Sequence, residues 1–211
     1  MSSRNTVLAF AFWLALIGGA LALSLLAAPN DTLPGDRDVT SWLQDQKFPG
    51  QDLSDFVRAV TTTEVVLATG AAVSLILWLK GYRRQAILLG AGLAGLAIVQ
   101  FGVKEVVGRP RPDVEFVDVR AGRSSPSFPA GHVMSGTYLY GFLIYLALTL
   151  PLARGAAVAL AAAAALIIAL SGPVNVWVGA HWPSDVVGGY LFAGIILLPL
   201  IVLSFGSRPG R

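Results

Sequence analysis

The chain has no cysteine, only two histidines among 211 residues, and charge at just 13% of its positions. Each shortage removes options. Without cysteine there is no disulfide, no thiolate metal site and no cysteine nucleophile. With His132 and His181 as the whole histidine complement, each can be weighed singly. The scarcity of charge, beside an apolar fraction of 55%, excludes an ordinary soluble fold, because a domain of this size needs more polar sequence to face water. The net charge of +3 is small. The basic residues sit in short loops, which suits a membrane protein and argues against a nucleic-acid-binding face. There is no low-complexity linker and no convincing internal repeat, so the length implies one domain over residues 1–211.

What the chain does have is long apolar runs. A spanning helix needs about 20 mostly apolar residues. Val7–Ala28 and Val186–Phe205 qualify outright, while Ala86–Val103 and Val133–Leu150 are uncharged and slightly short. Val65–Leu79 needs the preceding threonines, and Ala156–Leu170 needs Ser171 and Gly172, to reach span length. The expected architecture is therefore all-α, a bundle of six transmembrane helices. The first run is long for the apolar region of a cleaved signal, which favours an uncleaved span. A short surface helix is expected over Leu53–Val60. Gly90, Gly92, Gly95 and the alanine run 161–165 fit close helix packing in lipid.

Loop charge gives an orientation. Arg4, Lys80, Arg83, Arg84, Arg154, Arg208 and Arg211 fall on one side with no acidic companion; all twelve Asp and Glu lie on the other side or at its boundary. The first side is expected to be cytoplasmic, with both termini, and the membrane is expected to be the plasma membrane. The outer side holds eight cations, and five of them (Lys104, Arg109, Arg111, Arg120 and Arg123) lie close together. Such clustering suggests a purpose other than topology.

Three polar clusters interrupt the apolar background, each at the outer end of an expected helix: Lys104 to Pro112, Ser127 to His132, and Gly179 to Asp185. Lys and Arg at a helix end form an anion site, Arg by bidentate hydrogen bonds and Lys as a point charge. His181 and Asp185 are four apart. If the chain turns helical there, they share a face. A carboxylate on one ring nitrogen then leaves the other nitrogen as nucleophile. Gly131 allows close backbone approach to an oxyanion, and His132 can act as a general acid. The bland readings are headgroup anchoring for a single cation and a solvated or structural role for a lone histidine. They account for Lys80, Arg83 and Arg154 but not for the outer cations together or for two interfacial histidines.

In this order the clusters resemble the type 2 phosphatidic acid phosphatase family, which shares its site with vanadium haloperoxidases. Its Lys-x6-Arg-Pro motif is met by Lys104 and Arg111-Pro112, its Pro-Ser-Gly-His by Pro129-Ala130-Gly131-His132, and the end of its Ser-Arg-x5-His-x3-Asp by His181 and Asp185. The motifs cover 104–185. The resemblance implies that His181 attacks phosphorus, Asp185 orients it, and His132 protonates the leaving oxygen. Lys104, Arg111 and the Gly131 amide would hold the phosphate oxygens, with no metal or other cofactor. It further implies lipid phosphates or diphosphates as substrates, such as phosphatidic acid or undecaprenyl and other polyprenyl diphosphates, in contact with membrane lipid.

Two positions depart from the pattern. Ala130 replaces a Ser, and Asn175 stands where a phosphate-binding Arg is expected. Losing one oxyanion donor can cost about 10²–10³ in rate. Arg109, Arg120 and Arg123 are the candidates to replace the missing charge at the substrate. The alternative reading is an impaired member that binds lipid phosphates or scaffolds a partner.

Overall fold

The computed structural model describes residues 3–47, 49–121 and 125–205. Among them are eight helices: α1 Ser3–Ala27, α2 Asp36–Gln44, α3 Gln51–Thr61, α4 Thr63–Leu79, α5 Arg83–Val107, α6 Gly131–Thr149, α7 Arg154–Trp177 and α8 Pro183–Phe205. The element boundaries have local causes. Thr62 leaves the helical region and its hydroxyl accepts from the Val65 N–H at 3.3 Å, capping α4; α3 and α4 meet there at a 52° bend. Gly108 ends α5 in the left-handed region at φ 62°, its N–H returning to the Lys104 carbonyl, and Pro110 and Pro112 bar further helix. Pro183 opens α8, where its missing N–H is no loss.

α6 is the hub. It packs on α3, α4, α5, α7 and α8, and Tyr138, Leu139 and Phe142 are buried in it. The Tyr138 hydroxyl donates to the Leu89 carbonyl at 2.8 Å. Gly92 makes room for that ring, since a Cβ there would lie 2.1 Å from the hydroxyl.

The outer surface is apolar instead. Leu25, Leu79, Ile98, Phe101 and Val106 are each at least 70% exposed. Large side chains on the outside of several helices are stable against lipid and costly against water. Four helical stretches are long and apolar enough to cross a membrane alone: Asn5–Ala27, Arg83–Val107, Arg154–Trp177 and Pro183–Ser204; the bent α3–α4 pair would make a fifth. The six runs expected from sequence all form helices. α6 stands outside that set because His132, Ser135, Thr137 and its tyrosines dilute its apolar character. It is shielded by its neighbours.

The short helix expected over Leu53–Val60 forms as α3, Gln51–Thr61. The sequence reading missed α2. It also missed how far α7 extends: what looked like an outer loop from Pro173 is helical to Trp177, leaving only a tight turn before Pro183. Asn175 is thereby fixed on a helix.

Candidate active site

The three polar clusters come together at one end of the bundle. The end of α5 and the segment after it carry Lys104, Arg109 and Arg111. The α6 N-terminus carries Gly131 and His132, the α7–α8 turn carries His181, and the first turn of α8 carries Asp185. Glycines let these segments touch. A Cβ at Gly189 would lie 2.9 Å from the Ala130 carbonyl, and one at Gly188 would lie 2.5 Å from the Phe128 ring. The Ala130 N–H donates to the Asp185 carbonyl at 3.0 Å, tying α6 to α8.

His181 is 2% exposed. Its Nδ1 is 3.7 Å from Asp185 Oδ2, too far for the direct bond that the i, i+4 spacing suggested. Ser127 occupies the gap: its Oγ donates to Asp185 Oδ2 at 2.5 Å and lies 3.4 Å from His181 Nδ1. The other ring nitrogen, Nε2, faces Arg111 Nη1 at 3.2 Å. Burial pushes the His181 pKa down to about 4, against the pull of the nearby Asp185 carboxylate and helped by the Arg111 and Lys104 charges. The ring is therefore neutral near pH 7, as a nitrogen nucleophile must be.

Asp185 is held on every side. Its Oδ2 also accepts from the Trp182 N–H at 2.9 Å, and its Oδ1 from Arg109 Nη1 at 2.6 Å. Arg109 is fully buried. Its Nη1 also donates to Ser184 Oγ at 2.7 Å, its Nη2 to Asp36 Oδ2 at 2.7 Å, and its Nε to the Asn30 carbonyl at 3.2 Å. Asp36 in turn accepts from the Ser184 N–H and hydroxyl. Arg109 is thus turned into the protein behind Asp185, away from the role of substrate cation suggested by its sequence position. Asp36 was not singled out in the sequence, and Ser127 marked only the start of a polar cluster. Asp36 looked like one acid among many in a polar loop, and Ser127 lacked a recognisable partner in the sequence.

The remaining cations occupy distinct places. Lys104 Nζ donates to the Pro126 carbonyl at 2.5 Å, and Arg111 donates to the carbonyls of Ser125 and Ala180 at 2.8 and 2.6 Å. Both reach the loop that precedes His132. Arg120 lies over the Trp177 ring at 3.9 Å and pairs with Asp118 at 2.8 Å, latching the post-α5 segment to α7. Arg123 lies outside the described residues. Gly131 and the 5% exposed His132 form the first turn of α6, where the helix dipole favours an anion. Ala130 precedes them without a side-chain cap.

Asn175 is buried and bonded throughout. Its carbonyl accepts from the N–H groups of Ala180 and His181 at 3.1 and 3.2 Å. Its Nδ2 donates to the Ser171 carbonyl at 2.7 Å, and its Oδ1 accepts from Arg58 Nη1 at 2.5 Å. Arg58 comes from α3, and the sequence reading had assigned it no role. Among the described residues no group of three or more His, Cys, Asp or Glu could hold a metal ion.

Comparison with known proteins follows the same lines. The PAP2 superfamily profile matches residues 65–208. A lipid A 1-phosphatase from Rhizobium etli is 32% identical over 124 residues, covering 56% of this chain and 47% of that protein. The chain thus matches about half the length of that relative. The crystal structure of a transmembrane PAP2-type phosphatidylglycerolphosphate phosphatase from Bacillus subtilis superposes with a TM-score of 0.58 at 21% identity, over 97% of this chain and 98% of that one. At that identity the likeness is one of fold.

Proposed function

The chain belongs to the PAP2 superfamily, and from that premise we propose that it is a membrane lipid phosphate phosphatase working through a phosphohistidine on His181. The observation that carries this reading is the His181 ring itself. One nitrogen is backed by Ser127 and Asp185, and the other is presented to Arg111.

The reaction runs in two displacements. A phosphate group draws Arg111 off Nε2, and Nε2 then attacks phosphorus in line. The bond from phosphorus to the leaving oxygen breaks as His132 gives that oxygen its proton. Positive charge arising on the imidazole is met by Asp185 through the Ser127 hydroxyl. His132, now neutral, takes a proton from water. The water oxygen attacks phosphorus, the P–N bond breaks, and inorganic phosphate leaves. Lys104, Arg111, Gly131 and the α6 N-terminus neutralise the phosphoryl oxygens throughout. Arg109 acts through Asp185 rather than on substrate.

A lipid substrate fits the surroundings. An apolar groove of about 220 Å³ runs beside the site end of α5, lined by Leu21, Val103, Val106 and Phe192, where a lipid tail would lie. A cavity of about 190 Å³ on the Arg111 side, lined by Arg37, Asp31, Asp113 and Trp182, suits a polar headgroup. The named relatives act on lipid A and phosphatidylglycerolphosphate, so phosphorylated lipids of those kinds join phosphatidic acid and polyprenyl diphosphates as candidates. Lys80, Arg83, Arg84 and Arg154 lie at the helix ends opposite the site. By the positive-inside rule the site opens on the outer face of the plasma membrane, with six helices crossing it.

Ala130 and Asn175 favour a competing reading, lipid phosphate binding without turnover. Phosphate release from these four lipids in detergent micelles, with His181→Ala as control, separates the two. Release that disappears in the variant establishes the phosphatase, and wild-type protein no better than the variant on every lipid would leave only binding.

A further inference from the structure

Asn175 and Arg58 are 117 residues apart in sequence, and their side chains are joined by a 2.5 Å hydrogen bond. We infer that Arg58 is a phosphate-binding residue of this site, a guanidinium carried in by α3 and seated on the Asn175 amide. The inference rests on the phosphatase reading above for its substrate and on the following geometry for its placement.

Asn175 backs directly onto the nucleophile's turn, because its carbonyl holds the His181 N–H. Its own Nδ2 is bound to Ser171, one turn back on α7. That bond fixes the amide so that Oδ1 is the end offered to α3. α3 also reaches the other histidine's helix. Thr61, one turn beyond Arg58, packs on α6 at Gly136, where an added Cβ would come within 2.7 Å of the Thr61 methyl. Gly136 in turn lies one turn beyond His132. The Tyr140 hydroxyl pins α3 again by donating to the Val60 carbonyl at 3.1 Å. Arg58 therefore belongs to a helix laid across both histidine-bearing segments and clamped to each.

The chemistry of the seat supports a ligand-facing role. A guanidinium has five N–H donors and a full charge. An amide oxygen takes one donor and neutralises none of the charge. Asn175 thus orients the group without cancelling its charge, whereas a carboxylate at the same place would cancel it. Asn175 is a positioning residue in this scheme.

The test uses the full-length protein in detergent with Arg58→Lys, Arg58→Gln and Arg58→Ala. Two quantities are measured: binding of inorganic phosphate, and kcat/KM on the lipid that the wild type hydrolyses best. Arg58→Gln retains a hydrogen-bond donor for Asn175 and loses the charge; Arg58→Lys retains the charge. If Arg58 binds phosphate, Gln and Ala both lower kcat/KM by about 10²–10³ and weaken phosphate binding by about tenfold or more, whereas Lys keeps a substantial part of both. If Gln behaves as wild type, or all three bind phosphate as tightly as wild type, Arg58 is a structural strut and the inference is overturned. A wild type without turnover would remove the phosphatase reading, and phosphate binding by the same variants would still decide the place of Arg58.

Discussion

Ser127 stands between Asp185 and His181, 2.5 Å from the carboxylate and 3.4 Å from Nδ1, while the two residues that it separates are 3.7 Å apart. The hydroxyl can accept from Nδ1–H and donate to the carboxylate at once. Ser127→Ala breaks that path without touching a charge. It should lower kcat by about 10–10², and Asp185→Asn should lower it by roughly 10³–10⁴ because the tautomer is then no longer enforced. The double variant should be no worse than Asp185→Asn alone. Steady-state kinetics on the three proteins check this, and additive losses would show that the two residues do not act in one line.

The Arg109 network predicts a stability effect at a residue remote from substrate. Asp36 and Asp185 flank the fully buried guanidinium at 2.7 and 2.6 Å. Removing one partner of a buried ion pair costs about 3–5 kcal/mol, since the other charge stays buried. Asp36→Ala should therefore lower the thermal unfolding midpoint by several degrees in detergent and loosen Asp185. An unchanged midpoint would mean that α2 contributes little to holding the site.

Several of these relationships were legible in the sequence, and the reason others were not is physical. Lys104, Arg111, His132, His181 and Asp185 stand out because polar residues at the ends of apolar runs have few bland explanations. Helix positions followed from those same runs. The Ser127 relay was hidden because a four-residue spacing fixes which face two side chains share and leaves their separation uncertain by about the width of a hydroxyl. Arg109 was read as facing substrate, since an Arg-Pro pair carries no sign of which way its side chain turns. Its inward direction is set by Asp36, some seventy residues earlier. The α7 extension past Pro173 was missed because proline normally disfavours a helix interior. Arg58 was invisible for the reason Asp36 was: the partner that gives it meaning is distant in sequence.

The His181 environment predicts an unusual acid limb. Its pKa is lowered to about 4 in the folded protein, against about 6.5 for an unperturbed histidine. The folded state therefore binds fewer protons than the unfolded state between these values. Stability from this group is fully present above about pH 6.5 and is lost as pH falls toward 4. Loss of activity by protonation of the nucleophile should likewise centre near pH 4. A pH profile of kcat/KM with Arg111→Gln alongside checks the cause, because removing that charge should move the His181 limb upward. A limb near 6.5 in the wild type, unmoved in Arg111→Gln, would place its origin in another group.

Gly179 predicts how tightly the turn bearing His181 is held. Its φ is +67°, a region that costs a non-glycine residue about 1–2 kcal/mol. The larger problem is space. A Cβ there would lie 2.3 Å from the Asp118 carbonyl oxygen and 3.0 Å from the Val119 Cα, both backbone atoms that no rotamer change can move aside. The same segment is bonded to the turn on either side of this contact: the Arg120 and Ala121 N–H groups donate to the Val178 carbonyl at 2.9 and 3.2 Å, and Gln44 of α2 donates to the carbonyls of Asp118 and Trp177. Gly179→Ala must displace one backbone from the other and break several of these bonds together. Since Arg111 lies on that segment's N-terminal side and donates to the Ala180 carbonyl, the displacement should reach the nucleophile as well as the fold. The expected result is an unfolding midpoint lowered by several degrees together with a loss of kcat of at least tenfold. Gly108→Ala provides the contrast. It shares the positive φ but has nothing within 4 Å of an added Cβ, so it should show the smaller backbone cost alone. Equal losses at the two glycines would mean that conformation, not the contact with Asp118, governs the turn.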